Sequence, residues 1–236
     1  VLSTIAASVA LMVWRRTAPD LVRPYRLPAA QFLAPAGFVA ASVIIYWTGF
    51  VTLVNLITLL LGALCVYAVF FSTYHGWTRR TPAVVLSVVF LVGWFIVAAR
   101  SGYVLAEPGL GTDTSTMWQY LVGIIVLSVA FLAVLRYLTA EPGLPHLRGG
   151  YWLVFQLLGQ LTIAGLGSYG PLEDPLLPFP VDILVSIVIS LAAYIWALRT
   201  GFAPPEMKML EQESLATADT ATSASTGAQP GKDLGQ

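Results

Sequence analysis

The side chains best suited to bind a polar ligand are two glutamines four positions apart in an apolar stretch. Gln156 and Gln160 share one face of a helix, and each amide offers two donors and an acceptor. Such a pair could line a hydrophilic route, or it could hydrogen-bond a neighbouring helix, as polar residues in membrane helices often do. We favour the interhelical bond. Asn55, in an earlier apolar stretch, carries the same two alternatives with the same preference.

Two charged residues stand at the edges of apolar stretches. Asp182 begins the last stretch, where a carboxylate stabilises the positive end of the helix dipole. Arg100 ends an earlier stretch, where its long side chain can reach the lipid headgroups. We favour these structural roles over proton coupling for Asp182 and over gating for Arg100.

The sequence offers no catalytic or metal-binding constellation. His75 and His146 fall in separate connections, and neither has a metal-ligand partner at helical spacing. Cys65 is the single cysteine, so it cannot form an intrachain disulfide. A glycine-rich phosphate-binding motif is also missing from the sequence. The sequence therefore predicts a protein that is not an enzyme and that uses neither a cofactor nor a metal.

The composition indicates a membrane protein. Of 236 residues, 57% are hydrophobic and 10% are charged, and the mean hydropathy is +0.78. Soluble domains carry about 25% charged residues. A formal net charge of zero, without clustered lysines and arginines, argues against a nucleic-acid partner. The expected partner is the lipid bilayer.

The apolar stretches predict an all-α fold, a polytopic transmembrane helical bundle of about seven spans. One crossing takes about 20 apolar residues, because a helix rises about 1.5 Å per residue. The predicted transmembrane domain is 1–199, with spans at about 1–14, 32–48, 50–71, 82–105, 117–137, 151–169 and 181–199. Residues 200–236 lack a periodic apolar pattern and predict a disordered cytoplasmic tail.

The basic residues fall on alternate connections between these spans. Eleven of the twelve lie in one set of connections, and only Arg100 lies at the edge of the other set. Lysine and arginine near helix ends mark the cytoplasmic side of a membrane. The pattern predicts an N-terminal end outside, a C-terminal end in the cytoplasm, and a multi-pass protein of the plasma or inner membrane.

The first apolar stretch is short for a crossing. Val1 to Trp14 would form about 21 Å of helix, whereas the hydrocarbon layer is about 30 Å thick. Arg15 and Arg16 follow this stretch, whereas the charges of a signal peptide precede its apolar core. We expect that part of this helix lies upstream and that the chain is the C-terminal piece of a larger protein.

The connection after the first span has a distinctive pattern of arginines and prolines, WRRTAPDLVRPYRLP from Trp14 to Pro28. It resembles the cytoplasmic loop that follows the tenth helix in permeases of the amino acid–polyamine–organocation superfamily. The residues that carry the resemblance are Arg15, Pro19, Asp20, Arg23, Pro24, Tyr25, Arg26 and Pro28. Apart from any family, the arginines hold the loop at the cytoplasmic face and the prolines stop both helices. We interpret it chiefly as a rigid connector.

The resemblance implies the C-terminal part of a secondary active transporter that moves amino acids or related amines by alternating access. It also implies coupling to a proton or cation gradient. The family holds its substrate on helices that this chain does not contain, so no substrate-binding residue is assigned. The implied partners are the missing N-terminal half of the transporter and the small-molecule substrate, and a homo-oligomer stays open. The alternative is a non-transporting structural membrane subunit that binds a partner protein.

Overall fold

The computed structural model describes residues 2–19, 27–103, 114–202 and 209. Within these residues the chain forms seven helices and no strand, so the predicted all-α fold is confirmed. The helices are α1 (Leu2–Thr17), α2 (Ala30–Trp47), α3 (Phe50–Tyr74), α4 (Arg80–Arg100), α5 (Thr114–Leu138), α6 (Leu144–Leu166) and α7 (Val181–Thr200).

Two turns shape the first half of the bundle. Thr48 and Gly49 separate α2 from α3, and Gly49 has a φ of 85°, a conformation that glycine adopts without strain. Near its end α3 widens into a π-helical segment, Tyr67–Phe71, which contacts α4. The glycine thus allows two long apolar helices to follow each other directly.

Five of the seven helices are long and apolar enough to cross a membrane, namely α2, α3, α4, α5 and α7. α1 has 16 residues and is the shortest of the seven helices. α6 has 23 residues, but Gln156 and Gln160 lower its hydropathy. The seven-span count and the orientation therefore stay predictions.

The least apolar of the long helices lies at the centre of the bundle. α6 packs against α2, α3, α5 and α7, while α1 packs on α2 and α7, and α4 packs on α5. Leu157, Leu161 and Ala164 of α6 are fully buried, as are both of its glutamines. This position explains how α6 accommodates amides, because neighbouring helices rather than lipid surround them.

The outer helices expose bulky apolar side chains. On α4, Val85, Val89 and Phe95 are more than half exposed, whereas Ser87 and Phe90 are buried. In water such a surface would be unfavourable, but hydrocarbon solvates it well. The bundle thus has the polarity of a membrane protein, with apolar side chains outside and polar side chains in its core.

Candidate functional site

A row of polar side chains runs along the buried face of α7. Asp182, Ser186, Ser190 and Tyr194 follow one another at four-residue spacing, and none is more than 5% exposed. Four-residue spacing places side chains on one helix face, here over about 18 Å of helix. The face packs against α2 and α6. We call these four residues the α7 polar row.

The first member of the row joins α7 to α2. Asp182 is fully buried, and the Tyr46 hydroxyl of α2 donates a 2.6 Å hydrogen bond to its Oδ2. The backbone N–H of Ser168 donates to the same oxygen at 3.3 Å, and that of Ile183 donates to Oδ1 at 2.7 Å. The Ile183 bond fits the predicted role at the helix start. The bond to Tyr46 adds a link between distant parts of the chain.

The backbone after α6 packs tightly around this link. A Cβ added to Gly167 would lie 2.5 Å from the Tyr46 hydroxyl oxygen, so only glycine fits here without displacement. The Tyr169 ring packs edge-on against Tyr46 at 5.3 Å between centroids. The Tyr169 carbonyl accepts a 3.3 Å hydrogen bond from the Phe50 N–H at the start of α3. Three chain segments therefore meet at the Tyr46–Asp182 pair.

The middle of the row bonds to both predicted glutamines. Gln160 Nε2 donates to Ser190 Oγ at 3.0 Å and to the Ser186 carbonyl at 3.4 Å, while Ser186 Oγ donates to Gln160 Oε1 at 2.8 Å. Gln156 Nε2 donates to Ser190 Oγ at 3.2 Å. Both amides thus bond α7, which is the geometry of the interhelical interpretation. Their assignment to packing rather than to a polar pathway stays a prediction.

The bonding of Ser190 fixes the direction of the Gln156 amide. Ser190 Oγ donates its one hydrogen to the Ser186 carbonyl at 2.7 Å and accepts from both glutamines. It has no second hydrogen for Gln156 Oε1, so that oxygen must point away. Among the described residues Gln156 Oε1 has no partner, and the same holds for the buried hydroxyl of Tyr194. This end of the row is therefore less well satisfied than the end at Asp182.

Asn55, the third candidate, differs from the glutamines in its surroundings. Its side chain is exposed on α3, whereas Gln156 and Gln160 are fully buried. The structure therefore groups the two glutamines into one network and places Asn55 on a different surface.

The arginine–proline loop is described only at its two ends. Arg15 lies in the last turn of α1, and its Nη2 donates a 2.9 Å hydrogen bond to the Leu27 carbonyl across the loop. Pro19 and Pro28 are exposed. The other residues of the pattern, Asp20, Arg23, Pro24, Tyr25 and Arg26, lie outside the described residues. The bond of Arg15 draws the ends of the loop together, as a connector requires.

The two histidines, which look unrelated in the sequence, share one aromatic partner. The His75 and His146 rings stack on Trp77 with centroid distances of 4.8 and 4.4 Å, and Phe202 packs against His146 at 4.5 Å. The Trp77 carbonyl also accepts a 2.7 Å hydrogen bond from the Ala140 N–H. The sequence predicts His146 in a connection, but the structure places it in the first turn of α6. The contacts therefore join the connection between α3 and α4 to the start of α6 and to the end of α7. The sequence signal that could have indicated this cluster is the presence of aromatic residues close to each histidine.

Metal chemistry finds no support in the described part of the chain. No three residues among its histidines, cysteines, aspartates and glutamates come close enough to hold a metal ion together. The α7 polar row and its partners offer hydroxyls, amides and one carboxyl group. That set can join helices or hold a small polar molecule.

Comparison with known proteins gives one informative match. The chain is 22% identical over 209 residues to the glutamate/serine transporter AimA of Bacillus subtilis (strain 168). The matched region covers 88% of this chain and 26% of that transporter, so the chain spans about a quarter of its relative. No family model and no solved structure matches the chain. The similarity indicates a membrane transporter.

Proposed function

We propose that this chain is the C-terminal part of a secondary active transporter for amino acids or related amines. The observation that supports this most is the similarity to a glutamate/serine transporter along nearly the whole chain. The arginine–proline loop supports the narrower proposal of the amino acid–polyamine–organocation superfamily. Its members move substrates by alternating access, driven by a proton or cation gradient. The plasma or inner membrane is the corresponding location.

The described helices would serve as a supporting scaffold rather than as the substrate site. The polar side chains of α6 and α7 are largely occupied with each other, and Gln160 uses both its amide nitrogen and its oxygen in bonds to α7. Binding a substrate there would require breaking bonds inside a tightly packed core. We therefore place the substrate-binding residues in the N-terminal half of the transporter, which is the expected partner of this chain.

The direct test is uptake of radiolabelled glutamate, serine and a wider panel of amino acids by vesicles that contain the full-length protein. We expect saturable uptake of at least one amino acid that stops when an ionophore collapses the imposed gradient. Protein-free vesicles are the control. Absence of saturable uptake across the panel would contradict transport and would favour the structural membrane subunit. The coding sequence upstream of Val1 gives a second test, because a transporter requires further hydrophobic segments there.

A further inference from the structure

An apolar groove opens on the outer surface of the bundle between α5 and α6. It has a volume of about 470 Å³, and its walls are almost entirely apolar. The α5 wall runs from Ile125 to Arg136, the α6 wall runs from Tyr151 to Thr162, and Trp196 of α7 lies at one side. The groove is therefore apolar along most of its length and basic at one end.

The length of the groove matches one leaflet of a bilayer. Each wall covers eleven residue steps of helix, from Ile125 to Arg136 and from Tyr151 to Thr162, which corresponds to roughly 17 Å. Half of the hydrocarbon layer is roughly 15 Å thick. A transmembrane helix of a partner protein would cross both leaflets, whereas a lipid acyl chain occupies one. The dimensions favour the acyl chain.

The charge at the groove's end indicates which headgroup it would accept. Arg136 lines the groove and is exposed. Arg148 is also exposed, and both arginines interact electrostatically with Tyr151 of the groove wall. Both arginines lie where α5 ends and α6 begins, on the side that the charge distribution predicts to be cytoplasmic. Guanidinium groups bind phosphate oxygens through paired hydrogen bonds. Basic pockets between membrane helices on the cytoplasmic side attract anionic lipid headgroups.

We propose that this groove binds an anionic phospholipid of the leaflet that the basic helix ends face. One acyl chain lies along the groove, and the phosphate contacts Arg136. The aromatic rings of Phe155 and Trp196, 5.5 Å apart, form an exposed apolar edge beside the chain. The proposal depends on the bundle lying in a bilayer and not on transport, so failure of the uptake experiment would leave it standing.

The test measures lipid retained by the purified full chain after extraction from nanodiscs of phosphatidylcholine with a minor fraction of phosphatidylglycerol. Native mass spectrometry counts each bound lipid. The natural protein should retain phosphatidylglycerol in preference to phosphatidylcholine. Arg136→Gln should lower phosphatidylglycerol retention about five-fold, the loss expected for one basic contact, and Arg136→Lys should largely restore it. Ala133→Phe should fill the groove and lower retention of both lipids.

Matched controls separate the groove from general effects. Arg80→Gln removes an exposed arginine from the same side of the bundle, and Ala99→Phe adds a ring to an exposed position of α4. Neither should change retention. Equal retention of both lipids by the natural protein would overturn the proposal, as would equal losses in Arg80→Gln and Arg136→Gln. A second copy or another protein bound at the groove in place of lipid would also overturn it.

Discussion

The hydroxyl group of Tyr46 donates a 2.6 Å hydrogen bond to the carboxyl group of Asp182, and this bond joins α2 to the start of α7. Both side chains are fully buried. One helix turn deeper, the row continues through Ser186 and Ser190 to the glutamines of α6. The three central helices are thus held together by polar contacts along their common interface, while apolar side chains face outward.

Removal of the Tyr46 hydroxyl should weaken the bundle. Tyr46→Phe keeps the ring but removes the donor that α2 supplies to Asp182, and hydrogen bonds to charged groups contribute about 1.5–3 kcal/mol. We expect the free energy of unfolding in detergent to fall by about that amount. Tyr137→Phe, at a position that is 89% exposed, is the control and should change little. Equal stability of the two variants would contradict this role of the bond.

The packing around this pair should make Gly167 intolerant of a side chain. Gly167→Ala places a methyl group against the Tyr46 hydroxyl and the Ile163 carbonyl, so we expect a loss of about 1–3 kcal/mol from overpacking. Gly62→Ala is the matched control, because nothing lies within 4 Å of its added Cβ. It should leave stability unchanged or raise it by up to about 1 kcal/mol. Thermal unfolding of both variants decides the matter, and a stable Gly167→Ala protein would refute the close approach.

The two glutamines should differ in their contribution to stability. Gln160→Leu leaves the Ser186 hydroxyl without its acceptor and should cost about 1–2 kcal/mol, the range for such bonds between membrane helices. Gln156→Leu removes one long bond and one unpartnered buried oxygen, so its cost should be smaller. Denaturant unfolding of both variants gives the comparison. The reverse order would contradict the assigned network.

The same two substitutions test whether the glutamines belong to a substrate pathway. If they serve packing, the variant with both leucines should express and fold less well, while the relative uptake of different amino acids stays the same. Uptake of the amino acid panel by vesicles with equal amounts of folded protein measures this. A changed substrate preference at normal expression would show that Gln156 and Gln160 act in transport.

Much of the architecture follows from the sequence because it depends on local patterns. Apolar runs of sufficient length predict the helices, and the four-residue spacing predicts that Gln156 and Gln160 share a face. The partner of that face is a tertiary property. Ser186 and Ser190 have the same spacing on α7, but no local signal indicates that these two rows meet. The sequence also identifies Asp182 as a helix-start residue, since that role depends on neighbours in the chain.

The contacts that the sequence does not reveal are those between distant positions. Tyr46 and Asp182 are 136 positions apart, and the tyrosine stands in an apolar segment where its ring alone explains its presence. His75 and His146 come together only because the connection between α3 and α4 meets the first turn of α6 at Trp77. Such pairs depend on which helices are neighbours, and apolar helices of similar length carry little information on their neighbours.

The central claim, a bundle threaded through a bilayer with its basic connections in the cytoplasm, is tested most directly by cysteine labelling in intact cells. In a Cys65→Ala background, a membrane-impermeant maleimide should label Thr48→Cys and Leu176→Cys at once. It should label Pro28→Cys and Tyr74→Cys only after the membrane is permeabilised. Labelling of Pro28→Cys and Tyr74→Cys from opposite sides, or of all four positions before permeabilisation, would contradict the account.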